Sequence, residues 1–428
     1  MATLYWKGCA PAVAQVTTIT PGGTMPSETF TLSVGDTSLI YTAGGSDTAT
    51  DIAQALMAAW NASSHAYHAS ITATEDTGVI TLTADIAGVP FTVTAQATGG
   101  ATLTANTTTS NSGPNDWSTA ANWSTGSLPV DGDVVIFENN AVPVLFGLNQ
   151  SSVTLSALHI KQSYTGKIGL NDAVFTVDAD TSEDNQYEYR NTYLCISATN
   201  IEIGQHAGSS TPVGSGRIKL NTGTAQTTLN IHNTATSSAD THQQPVRWVG
   251  THASNLIRIF RGKLGLASNL PGETATVDKL YVGQAGSLGG DANVVIGQGA
   301  TLTDLYQSGG SVTVSCNVVN LQQTAGKLTT QGTLSLTNVT IAGQADLMHV
   351  GDITNLIVGH DGQVDLSHQA ASRVITHCNV YDGSTLNLNN GNPLSISFTN
   401  GIDCIESLPQ NVTINWWPNI RLNVMAIS

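Results

Sequence analysis

Between Val277 and Leu388 apolar and polar residues alternate in short runs, separated by small-residue corners, on a nearly constant beat. The runs read LYVGQAGSL (280–288), VVIGQGATL (294–302), LYQSGGSVTV (305–314), LQQTAGKLTT (321–330), VTIAGQADL (339–347), LIVGHDGQVDL (356–366) and VYDGSTLNL (380–388). Aligning Leu305, Leu321, Val339 and Leu356 gives steps of 16, 18 and 17 residues. A fixed step of this size marks stacked units, each too small to bury its own apolar face. Period-two alternation places Leu, Val and Ile on one side of a strand, and Gly310, Gly326, Gly343 and Gly362 permit tight corners. The predicted fold class is mainly β, a right-handed parallel β-helix or similar solenoid, preceded by a small α+β domain. Turn signals at regular spacing also suit a β-sandwich, which is the alternative architecture.

The small domain is predicted over residues 28–98, after a lead of residues 1–27 with a turn at Pro21–Gly23. ETFTLSV (28–34) and SLIYT (38–42) form a hairpin around Gly35 and Asp36. Thr48 and Asp51 stand at capping-box spacing, and Ile52, Leu56 and Trp60 share one face of a helix over about 48–61. ASITAT (69–74) and VITLTA (79–84) predict a second hairpin, and FTVTA (91–95) one more strand. This order of elements resembles small domains of flagellar hook-associated proteins and of phage tail and virion structural proteins. The resemblance covers about 70 residues and implies an interaction or spacer module without catalysis.

Residues 99–115 are polar and read as a linker. The domain from 116 to 428 opens with DWSTAANWSTGSLPVDGDVVIF (116–137), where Trp117, Trp123, Pro129 and Gly132 precede an apolar strand. That opening resembles the entry to β-helices in bacterial surface proteins and phage appendages. Two large rings there serve as a lid on the first unit; the functional reading of Trp117 and Trp123 is an aromatic platform for a glycan. Trp416 and Trp417 would close the other end or form a subunit contact. Insertions at 180–193 and 234–255 break the alternation and are predicted to loop out from one face.

Only 10% of the residues are charged, 40% are hydrophobic, and the net charge is −16. No Lys or Arg occurs between Lys7 and Lys161. Such a surface repels phosphate backbones and anionic bilayers, so neither nucleic acid nor membrane is expected as a partner. A small basic patch, Arg247, Arg258, Arg261 and Lys263, is expected to be solvated or to bridge subunits. Five cysteines, at 9, 195, 316, 378 and 404, are widely separated and unpaired by motif; Cys195, Cys316 and Cys378 fall within apolar alternation, as small core residues do. The first twenty residues lack a basic start followed by an apolar stretch, which predicts synthesis in a cytoplasm without export by the general route.

Candidate chemistry is sparse. Asp178 and, above all, Asp180, Glu183, Asp184 and Glu188 form the acid set that a polysaccharide-cleaving enzyme would need, although a charged insertion is ordinarily a solvated loop. His360, Asp361, Asp365 and His368 are the candidate metal ligands, without a defined third position. No cofactor is expected. Together these features predict a non-enzymatic structural protein of a bacteriophage virion, made in the host cytoplasm, either decorating the capsid exterior or forming a tail appendage. Its expected partners are other virion proteins, two further copies in a homotrimer, and a host cell-surface glycan. The rival readings are a tailspike enzyme cleaving host polysaccharide and a bacterial surface adhesin.

Overall fold

The computed structural model describes residues 1–35, 37–170, 192–205, 214, 216–234, 244–268, 272–283, 292–368, 371–388, 392–399 and 412–416. The alternating runs become parallel strands. Their inward positions form one continuous row, from Leu4 through Val135, Leu158, Ile201, Leu229, Ile257, Leu280, Leu305, Leu321, Val339 and Leu356 to Cys378, each in register with the next. Every one of these side chains is buried. Leu305, Leu321, Val339 and Leu356, aligned on sequence alone, are therefore true register partners. A second inward row runs from Ile218 through Val246, Leu264, Val294, Val312, Leu328 and Ala345 to Val364.

The two rows belong to one sheet. The long strands Ala300–Val314 and Val318–Thr330 run through both, shifting register at Gln307/Ser308 and Ser308/Ser311 where the chain turns the corner. Gly310 makes that corner with φ +68, where an added Cβ would lie 2.2 Å from the Ala292 carbonyl oxygen. Because such strands join the ladders, the sheet closes on itself as a parallel β-barrel. This corrects the expected right-handed β-helix or solenoid. Alternation and step size encode which strands are neighbours, and both are equally compatible with an open stack and with a closed sheet.

The barrel has a sealed end. β1 (Thr3–Tyr5) pairs in parallel with β9 (Val134–Phe137). Trp6 stacks edge-on against Trp123 at 5.1 Å, Trp123 against Trp117 at 4.6 Å, and Phe137 and Tyr164 continue the cluster. Buried indole N–H groups need acceptors. Trp6 Nε1 donates to the Val142 carbonyl at 3.0 Å and Trp123 Nε1 to the Trp117 carbonyl at 2.9 Å. Asn122, fully buried, donates to the carbonyls of Gly113 and Asp116 and accepts from the Ala10 N–H. Thus the first ten residues, expected as a lead, are part of the barrel's lid.

The chain leaves that lid, builds a second unit, and returns to it. β2 (Val16–Gly23), β5 (Ile71–Asp76), β6 (Val79–Ala84) and β8 (Ala101–Thr109) form one antiparallel sheet in the order β5-β6-β2-β8. β3 (Thr29–Val34), β4 (Thr37–Thr42) and β7 (Val93–Ala97) form another, ordered β4-β3-β7. Helix α1 (Ala49–Ala62) is capped by Thr48 in a capping box with Asp51, and buries Ile52, Leu56 and Trp60. α2 (Ala66–Ala69) is a single turn. The expected α+β domain is corrected accordingly: its bulk is two antiparallel sheets with little helix among the described residues. Its bounds change too, since Pro21–Gly23 lies in a strand and most of the expected linker 99–115 is β8. Both were misread because Gly, Pro and Thr/Asn-rich composition is shared by turns and by exposed edge strands. The unit has its own apolar core, separate from the barrel's.

Buried polar groups inside the barrel differ in how well they are satisfied: Trp248 Nε1, Gln307 Oε1, Gln323 Oε1 and His349 Nε2 are among the buried atoms without a hydrogen-bond partner. Arg373 donates to the carbonyls of Leu347, His349 and Gly351. His349 Nδ1 lies 2.6 Å from the Thr330 hydroxyl, while its Nε2 is buried without a partner. Burial first, and the Arg373 charge second, hold His349 down to about 3. The folded state then binds its proton only near pH 3, whereas the unfolded chain binds it near 6.5. This contribution to stability is complete above pH 6.5 and is lost as pH falls toward 3, by about 1.4 kcal/mol per pH unit. Urea unfolding midpoints should fall across pH 6.5–4, and His349→Asn should flatten that slope; an unchanged slope in the variant would place the acid sensitivity elsewhere. His68, also held low by burial and by His65, contributes with the same sign.

Candidate functional site

On the outer side of the second ladder, four strands share one repeated phrase: Lys327-Leu-Thr-Thr330, Gln344-Ala-Asp-Leu347, Gln363-Val-Asp-Leu366 and Thr385-Leu-Asn-Leu388. Alternation turns the second and fourth residues of each inward. The first and third point outward and align across the strands, Lys327 with Gln344, Gln363 and Thr385 in one row, and Thr329 with Asp346, Asp365 and Asn387 in the other. Between the rows lies a groove of about 450 Å³, with Ala345 and Val364 among its lining residues.

The polar side chains of the groove are ordered by one another. Asp365 Oδ1 accepts from the Ser367 N–H at 2.7 Å and from the Asn387 amide at 3.1 Å. His368 Nδ1 lies 3.4 Å from Asp346 Oδ1 and 3.8 Å from Asp365 Oδ2. Gln344 Nε2 reaches Gln363 Oε1 at 3.3 Å. Burial alone would raise the Asp365 carboxyl, but the hydroxyl and N–H of Ser367, the neighbouring His368 and the Asn387 amide outweigh it and hold the group below its ordinary value. Asp365 is thus an ionised acceptor at neutral pH.

Of the four candidate metal ligands, the structure brings Asp365 and His368 together and adds Asp346, which the sequence reading did not include. His360 turns instead to the Asp382 carbonyl, 2.9 Å away, and packs against Tyr381, while Asp361 is exposed at a left-handed corner. Among the described residues no three His, Cys, Asp or Glu side chains are arranged to hold a metal ion. The signal for Asp346 was present in the paired phrases GQADL and GQVDL, 19 residues apart. Its outward position on the neighbouring strand follows only once the two are known to be in register.

The remaining candidates resolve differently. Trp117 and Trp123 are 0% and 1% exposed, so neither offers a face to a glycan; they are the lid. Asp180, Glu183, Asp184 and Glu188 lie outside the described residues. Arg247, expected at the surface or between subunits, is buried and pairs with Glu273 at 3.3 Å, and Arg258 lies over the Tyr281 ring and bonds Asn230. Cys316 and Cys378 are buried, and burial raises both thiols to about 12, which makes them poor nucleophiles. A second outward row is a ladder of amides: Asn320 donates to Asp304, Asn338 to Asn320 and Asn355 to Asn338, at 2.7 to 2.8 Å.

Comparison with known proteins finds no matching family model, no matching curated protein and no matching solved structure. The resemblance to phage virion and hook-associated domains is corrected by this result and by the closed sheet. It rested on the order of short β elements, which unrelated chains reach by the same alternation and turn chemistry.

Proposed function

We propose that this chain is a non-enzymatic structural protein of a virion-type particle, placed on the capsid exterior or in a tail appendage, where it acts as a rigid, trimeric surface element. The observation that carries this reading is the unbroken inward row from Leu4 to Cys378, which spans almost the whole chain and makes the barrel one continuous apolar core. Such a core favours mechanical persistence over motion. The outward surface supports it too: amide and hydroxyl ladders cross-link neighbouring strands, with few charges to be screened or titrated. The compact second unit, anchored at both ends in the lid, is a natural docking module, and its lack of any Lys or Arg favours a basic or polar partner surface.

Density-gradient particles from lysates of cells that produce the chain are the test. The protein should co-sediment with them at fixed stoichiometry, and the purified chain should have the mass of a trimer by light scattering. Exclusive recovery in the soluble fraction of such lysates would refute the reading.

A further inference from the structure

The groove over Asp346 and Asp365 has a chemistry that a structural role does not require. We propose that it is a binding site for a linear, electrically neutral glycan, laid across the strands so that successive sugars meet successive side-chain pairs. Neighbouring strands are about 4.8 Å apart, and the same two outward positions recur at each step, Gln344 with Asp346, then Gln363 with Asp365, then Thr385 with Asn387. A ligand built of repeating units matches such a lining better than a compact one does.

The side chains settle the class of ligand. Amides offer a donor and an acceptor together, and ionised carboxylates accept two hydroxyl hydrogens at once, which is the pattern that vicinal sugar hydroxyls satisfy. The groove holds two carboxylates against one ammonium, Lys327, on a chain of net charge −16, so a uronate or sialate polymer is repelled.

The full chain should be applied to an array of linear hexose and N-acetylhexosamine oligomers beside matched uronate- and sialate-bearing chains, and the strongest neutral binder then titrated by calorimetry. Binding to neutral chains is expected, unaffected by EDTA, and weakened roughly ten- to a hundredfold by Gln363→Ala or Asp365→Asn. Gln363→Ala alters an exposed outward side chain and should melt with the wild type, which separates lost recognition from lost folding, whereas Asp365→Asn also weakens the bonds to Ser367 and Asn387 and should melt somewhat lower. Binding to no neutral chain, preference for acidic chains, dependence on a divalent cation, or undiminished binding by both variants would each overturn the proposal.

Discussion

A chain beginning at Asp116 should not fold into the stable barrel, although it keeps every strand from β9 onward. It lacks β1, whose Leu4 heads the inward row, and Trp6, whose ring fills the lid between Trp123 and Phe137. Truncating a buried Trp costs about 3–5 kcal/mol and a buried Leu about 2–5, against a total stability of about 5–15 kcal/mol for a domain. Removing the whole strand also leaves the outer edge of β9 unpaired and apolar. Trp6→Ala in the full chain should show the smaller version of the same loss. By contrast, excising residues 13–110 and bridging Ala12 to Asn111 with two glycines should leave the barrel folded. The Ser112 hydroxyl donates to the Pro11 carbonyl at 3.1 Å and the two buried cores are distinct clusters, so the gap is short and the barrel core itself is kept, losing the packing of the partly buried Val89 against it. Circular dichroism and urea unfolding of the three proteins check this. Equal stability of the Asp116 fragment and the full chain would mean that β1 and Trp6 contribute nothing to the lid.

Leu356→Asp should abolish soluble folding. Leu356 lies between Val339 and Cys378 in the inward row at 1% exposure, with no polar group of the row to receive a carboxylate. The substitution removes about 2–5 kcal/mol of burial and adds the cost of an unpaired buried charge, several kcal/mol more. Leu356→Met, which conserves volume, should cost under about 1.5 kcal/mol and stay soluble. Thermal melts of soluble protein distinguish the two variants, and a wild-type melt from Leu356→Asp would show that the row is not the core.

Much of the local structure was legible in the residues. Among the described residues the alternating phrases placed strands where strands stand, the aligned Leu305, Leu321, Val339 and Leu356 are register partners, and Thr48, Asp51, Ile52, Leu56 and Trp60 marked α1 with its cap and buried face. These are short-range matters, decided by side-chain period and by hydrogen bonds within a few residues. The groove was half legible: Asp365 and His368 were singled out, and the GQADL phrase containing Asp346 was on view as a repeat.

What the sequence determined by itself is therefore the strand period, the step between neighbouring strands and the capped helix, because each depends on residues close together in the chain. Tertiary structure alone decided that the ladders join in a closed sheet, that residues 2–6 pair with a segment some 130 residues later, that Trp117 and Trp123 are sealed inside, and that Asp346 faces the same groove as Asp365. Alternation says that a side chain has an inner and an outer choice, but not what covers either. That depends on which distant segments gain most by excluding water together, and an aromatic pair at a β-entry reads the same whether it awaits a ligand or another tryptophan.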